Sequence, residues 1–409
     1  MKLGLAVMAG LLSFCLLITG CTATRDFNKR LGQIARPYCF SIAQWEASAI
    51  VSGVKGAVSN QSKVTGDEAG KVPEYFATVE RIKSLTAEIE AIKAGSKTGE
   101  LTALEEELSE LRQQKASLID LVETVITGQI KETLSQQGIY HPADRYVKAK
   151  INFPPINFKL EKPPHLLIVS PRDKIESMRE VVLRQEMKVE EMERMEAEID
   201  ELGVSSIVVE LGGFGGTYPA FVTSEASLRF TVSAATEEWL HQYLFFKPLG
   251  FRYALDVLGV KRDYEVSILD ETVASMVSKE IAGLVVESYY PDLKSDGDKT
   301  LEKKTGFDFD REMREIRKAV DEYLGNGEVE QAEKFMVEKR EYLASKGYHI
   351  RKLNQAYFAF HGAYADSPTS ISPIGDELKQ LRSQSASLKE FLDTASSITS
   401  REELQARIK

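Results

Sequence analysis

The sequence predicts an α+β fold dominated by helices, with a small mixed sheet packed on them in the middle of the chain and a helical hairpin near the N-terminus. Three observations carry this. Long stretches on both sides of the middle repeat apolar residues every three to four positions, the period of a half-buried helix. Between about 150 and 222 these give way to short β-branched and aromatic runs separated by Pro and Gly, as strands are. With 43% hydrophobic and 28% charged residues over 409 positions, the chain can bury a sizeable core in two or three units.

Taken in order, Lys2 precedes an apolar run, Leu3 to Ile18, that ends in Ile18-Thr19-Gly20-Cys21 and turns polar at Thr22. This segment resembles a bacterial lipoprotein signal, which implies removal of residues 1–20 and acylation of the Cys21 thiol. The membrane would then be a partner through lipid on Cys21, with the body on the periplasmic or outer face of the cell envelope. An uncleaved anchor would put the body on the same side without lipid. Thr22 rather than Asp follows Cys21, so no inner-membrane retention signal is expected. Beyond residue 20 no apolar run reaches the roughly 18 residues of a spanning helix. Cys39 has no cysteine partner in the processed chain, and Tyr38, Phe40, Ile42 and Trp45 around it predict a buried thiol. Lys and Arg total 52 against 62 for Asp and Glu, so nothing in the composition serves a phosphate backbone, and nucleic acid is not an expected partner.

A helix is expected over Ala43 to Val58 and a loop over Ser59 to Val72. Next, Ile82, Leu85, Ile89, Ile92 and then Leu101, Leu104, Leu108, Leu111, Leu118, Val122 and Val125 flank Gly95-Ser96-Lys97-Thr98-Gly99, which predicts the hairpin 76–127. Its outer acids and bases are read as a solvated face, with a coiled-coil partner as the competing role. Residues 21–144 form this N-terminal helical region, and a second unit spans 145–409. There Ile151 to Phe153, Ile156 to Leu160 and Leu166 to Val169 read as strands. Ser170-Pro171-Arg172-Asp173 reads as a helix start, and Ile175 to Leu202 as one long helix. Ser206 to Leu211 is a buried strand, and the glycines from Gly212 to Gly216 with Pro219 suggest an edge strand beside a cleft. Helices are expected over Leu228 to Phe246, Glu265 to Glu287, Asp308 to Leu324, Val329 to Ser345, Arg351 to Tyr364 and Pro373 to Thr394.

Chemistry concentrates in Glu237-Glu238-Trp239-Leu240-His241. On a helix Glu237 and His241, four apart, share a face. In a zinc helix of the HExxH type two His residues bind the ion and the intervening Glu takes a proton from metal-bound water. Here Glu237 occupies the first His position. Thirty residues after His241, Asp270-Glu271 opens a stretch with the helical apolar face Val273, Met276, Val277 and Ile281. Together these resemble the two zinc helices of gluzincin metallopeptidases, the thermolysin-like class. The resemblance spans about Val204 to Glu287. It implies Glu237, His241 and Glu271 as metal ligands and Glu238 as general base. Asp270 would stand in place of an Asn, and Ser275 in place of the Asp that orients a ligand His. The glycine-rich strand before the helix would align an extended peptide substrate by its backbone. Such enzymes also use a Tyr or His from a later helix to stabilise the oxyanion. Tyr357 and His361, with Tyr364 on the same face at i, i+4 and i+7, are the candidates, against aromatic packing as the alternative.

The implied cofactor is a divalent ion. A site with two carboxylates leans from zinc toward manganese or another harder ion. If the motif is a relic, no cofactor is expected, and the chain is a catalytically inactive peptidase fold or a helical scaffold that binds envelope partners. His141 and His165 beside prolines, and His349 at a helix start, have no metal-ligand spacing. The tract Asp292 to Asp310 lacks the alternation of a calcium loop.

Overall fold

The computed structural model describes residues 22–40, 66–94, 96, 98–144, 147, 149–292 and 306–408. The leader, Cys21, the helix expected over Ala43 to Val58, and most of the Ser59 to Val72 and Asp292 to Asp310 segments lie outside these residues. None of the described helices is long and apolar enough to cross a membrane. The fold is α+β and helix-dominated, with thirteen α-helices and two three-stranded sheets among the described residues, where one sheet was expected.

Helix α1 (Thr22–Ala35) leads through a 3-10 turn (Arg36–Tyr38) to Cys39, which bridges Leu183. The thiol is exposed rather than buried, because that bridge lays residue 39 along a sheet edge. It lies 3.5 Å from the Ala35 carbonyl. Helices α2 (Gly66–Lys93) and α3 (Leu101–Gln136) form the hairpin, longer at both ends than the sequence suggests. At its tip Leu85, Ile89 and Leu108 bury one another with Ile82, Leu101, Leu104 and Leu111. At its base Val122, Ile126, Ile130 and Leu134 enter the principal core, so that core runs across residue 144. The buried Glu123 fastens the base, accepting from Leu160 N–H at 2.7 Å and Lys159 Nζ at 2.5 Å.

The first sheet orders β3 (Arg179–Leu183), β2 (His165–Pro171) and β4 (Val204–Glu210), all antiparallel. Alternation sends Leu167 and Val169 to one face, against α1 and the Met192, Met195 and Ile199 stripe of α4 (Val189–Asp200). Ile168 goes to the other. The single helix expected over Ile175 to Leu202 is therefore wrong. Val181-Val182-Leu183 satisfies its backbone on β2, and the helix starts only after Lys188, whose N–H donates to Glu191 at 3.0 Å. Nor does Ser170 to Asp173 start a helix; Ser170 Oγ donates to the Lys174 carbonyl as the chain turns back.

The second sheet is β1 (Phe158–Leu160), β6 (Ala220–Val222) and β5 (Gly213–Phe214). In it β6 is parallel to β1 and antiparallel to β5, which forms the edge. Ile151 to Phe153 forms no strand. Two long helices, α5 (Leu228–Leu244) and α7 (Tyr264–Tyr289), fill the principal core with Val232, Trp239, Leu240, Val273, Val277 and Ile281. Between them lies α6 (Pro248–Val257), where the sequence predicts no element; Pro248 stands in its first turn, where a missing N–H costs nothing. The pair α8 (Phe309–Gly325) and α9 (Val329–Ser345) covers the outer face of the first sheet with α10 (Gln355–Gly362).

Helix α10 is shorter than the expected Arg351 to Tyr364. Asn354 Oδ1 caps Tyr357 N–H at 2.9 Å while its Nδ2 donates to the Ser206 carbonyl at 2.8 Å, which fixes the start. The expected closing helix over Pro373 to Thr394 is two, α11 (Pro373–Gln384) and α12 (Leu388–Ala395), because Ser387 caps a new helix at Glu390 N–H. A third, α13 (Arg401–Arg407), follows.

Candidate metal centre

Helix α5 begins where Ser227 Oγ accepts from Phe230 N–H. Its Trp239, Leu240 and Tyr243 are buried in the core, and Trp239 Nε1 donates to the Pro154 carbonyl at 2.7 Å. That fixes the rotation of the helix and turns Glu237 and His241 toward α7. The two helices run antiparallel: Glu237 meets Ser278, and one turn later His241 meets Asp270 and Glu271.

One ligand atom from each of Glu237, His241 and Glu271 lies within 4.8 Å of the others. His241 Nε2 and Glu271 Oε2 are 3.6 Å apart. Ligands about 2.1 Å from one ion in a tetrahedral set stand roughly 3.4 Å apart, so small side-chain shifts close this trio on an ion. Each member is also held by its other polar atom. His241 Nδ1 donates to Asp270 Oδ2 at 3.0 Å, Ser278 Oγ donates to Glu237 Oε2 at 3.3 Å, and Tyr253 of α6 donates to Glu271 Oε1 at 2.6 Å. Such outer contacts choose the histidine tautomer and aim the free atoms. Asp270 is 1% exposed, and its Oδ1 is buried without a hydrogen-bond partner among the described residues.

Electrostatics set this recess apart. Burial, partly offset by His241 and reinforced by Glu271, pushes Glu237 up to about 7. Burial likewise pushes Glu238 up to about 8, with His241 pulling it down and Glu237 and Glu271 adding to the rise. Burial pulls His241 down, but the charges of Glu271, Asp270 and Glu238 outweigh it and hold the imidazolium well above its usual value. Acids crowded in low dielectric oppose each other's ionisation, and a divalent cation is the species that relieves this. The donor set therefore fits such an ion.

Glu238, coupled by charge to the trio, lies under the edge strand and accepts from Gly215 N–H. A Cβ at Gly213 would fall 2.3 Å from Glu238 Oε1, and one at Gly215 2.7 Å from Oε2, so these two glycines let the strand lie on the carboxyl. One turn on, Gln242 Nε2 donates to the Thr217 carbonyl at 3.3 Å.

Other candidates fall elsewhere. Ser275 does not reach His241; it donates to Asp366 Oδ2 at 3.1 Å, beside Lys279 Nζ at 2.6 Å, and the carboxylate that orients His241 is Asp270. Tyr357 packs with the second core, its ring 4.3 Å from that of the exposed His361, and neither bonds to the trio. The phenol from this stretch that reaches the centre is Tyr364. Burial, then the charge of Glu271, to which it hydrogen-bonds, keeps it protonated far above its usual range. Tyr253 is held protonated in the same way. Sequence reasoning missed Tyr253, which lies in the unexpected helix α6, and Ser278, which is seven residues from Glu271 and so on its helical face. Tyr364 did carry a signal, as the i+7 member of the aromatic face. Compared with family models, curated proteins and solved structures, the chain matches none of them.

Proposed function

We propose that the chain is a metal-dependent hydrolase of the gluzincin kind, held at the membrane by lipid on Cys21 and acting on extended peptides. The observation that carries this is the trio with its three anchors: Asp270, Ser278 and Tyr253 each hold one atom of a ligand residue, and one ligand atom of each residue lies within 4.8 Å of the others. Glu237, His241 and Glu271 would hold a divalent ion, which when bound would supply Lewis acidity toward a carbonyl and make water more acidic.

The chain's own residues do the rest. Edge strand β5 has a side left unpaired among the described residues and offers it to a peptide backbone, an added strand that would bring a scissile amide over α5. Glu238, beneath that strand, accepts the proton of the attacking water and passes it to the leaving nitrogen. Tyr364 and Tyr253 keep their protons at neutral pH and donate them in hydrogen bonds to Glu271, which they hold in place beside the ion. With two carboxylates in the trio, manganese and other harder ions compete with zinc.

The substitution of Glu237 for the usual His, together with the hydrogen bond that Glu238 already makes to Gly215, favours a second reading in which the site binds an ion without turning over. Metal content and cleavage of an unstructured peptide by wild type and Glu238→Gln separate the two. We expect one ion per chain in both proteins and cleavage slowed by about 10²- to 10⁴-fold in the variant. Bound metal with no cleavage by the wild type selects the inactive reading, and absence of any metal affinity overturns both.

A further inference from the structure

Helix α6 is built inside out for a surface helix. Its inward side is anchored by Leu249, by the buried Asp256, which accepts from Asp263 N–H and Ser267 Oγ (both 2.6 Å), and by Tyr253, which reaches Glu271. The outward side should be polar, yet Phe251 and Val257 stand exposed on the helix, beside the half-buried Ala254, Leu255 and Leu258. Phe251 is 51% exposed, and the exposed apolar set continues past both ends of the helix. Phe246, in ring contact with Phe153 at 5.5 Å, stands before it, while Val257 and the 61% exposed Val260 close it. Just past the helix stand the exposed Lys261 and Arg262, in a chain whose net charge is -10, while Lys247 and Arg252 are paired with Asp393 and Asp263.

Its position matters as much as its composition. At the C-terminal end of α6 a Cβ on Gly259 would lie 3.5 Å from Arg179 Nη1, and Arg179 Nε donates to Asn28 of α1 at 3.1 Å. Six helical residues, about 9 Å, separate Asn28 from Thr22, the residue after Cys21.

We propose that α6 and its flanks form a second membrane contact, with Phe246, Phe251, Leu255 and Val260 at the acyl boundary and Lys261 and Arg262 on anionic headgroups. This rests on the reading of Cys21 as the lipid anchor and adds what an anchor alone does not give. An acyl group on a free N-terminus leaves the body to tumble about it, whereas an amphipathic helix with a basic end beside the anchor fixes one orientation. Since Tyr253 on the opposite side of the same helix holds Glu271, that orientation puts the metal centre about one helix diameter, roughly 10 Å, from the headgroups. The peptides that reach it are then membrane-proximal segments.

The test uses the full-length protein purified from membranes and reconstituted into phosphatidylcholine vesicles with or without phosphatidylglycerol, the acyl chains brominated. Phe251→Trp adds a reporter whose emission is read over that of Trp45 and Trp239. We expect the added emission to be quenched in anionic vesicles. Lys261→Glu with Arg262→Glu should weaken that contact by about five-fold per residue. Co-flotation with vesicles and the intact mass at Cys21 report the anchor separately. Protein that co-floats but shows no quenching at position 251 overturns the second contact while leaving the anchor in place. So does equal quenching in the charge-reversed protein. Shielding of the introduced indole from aqueous iodide before vesicles are added would also overturn it, assigning the face to a protein cover such as residues 41–65.

Discussion

Two antiparallel helix pairs in this molecule treat charge in opposite ways. In the α2–α3 hairpin the acids and bases face water: Arg81 meets Glu107 at 2.6 Å and Lys93 meets Glu105 at 2.8 Å, with all four side chains well exposed. Leucines and isoleucines fill the seam between the helices. In the α5–α7 pair the polar groups are in the seam. Glu237, His241, Asp270, Glu271 and Ser278 meet one another there, while the apolar residues of both helices are buried in the principal core. The first arrangement needs no polar satisfaction, because water provides it. The second needs every lone pair assigned, and an acid-rich seam whose donors are one imidazole, a hydroxyl and two phenols calls for a cation. A fold can keep such a seam only where it is used or where an ion offsets it.

Three measurements would sharpen or break that contrast. The largest effect is expected in the charged seam. Asp270→Ala removes the carboxylate that orients His241 and should lower the affinity for a divalent ion by about 10- to 100-fold, read by calorimetric titration. An unchanged affinity would mean that His241 is no ligand.

Acid–base behaviour of the metal-free protein comes next. Glu237 and Glu238 titrate at about 7 and about 8 in the folded chain, above the ordinary carboxylate value near 4.5. In that window the folded state holds protons that the unfolded state has released, so stability is full below about pH 4.5 and falls as pH rises toward 8. The raised His241 acts in the same sense at higher pH. Chelator-treated protein should lose about 6 kcal/mol between pH 5 and 8 in denaturant titrations, and Glu237→Gln should remove somewhat under half of that loss. A rise in stability over that range would show that the seam is not the strained element described here.

The smallest effect belongs to the hairpin. Arg81→Ala breaks an exposed pair and should change stability by less than about 1 kcal/mol, with no change in metal affinity.

The sequence by itself determined those parts of the molecule where each side chain answers to water or to its own helix. The 3-4 spacing of Leu85, Ile89, Leu104 and Leu108 specifies a hairpin without reference to anything else, and the spacing of Glu237 and His241 places two donors on one face of one helix. Tertiary structure decided whatever required a partner from far along the chain. Val181 to Leu183 became a strand because β2 offered it hydrogen bonds, overriding a window that reads as helix. Tyr253 joined the centre because Pro248 starts a helix that carries it to Glu271, and Tyr364 rather than Tyr357 arrived because Asn354, tied to β4, sets where α10 begins. Periodicity records which way a side chain faces, but only packing records what it finds there.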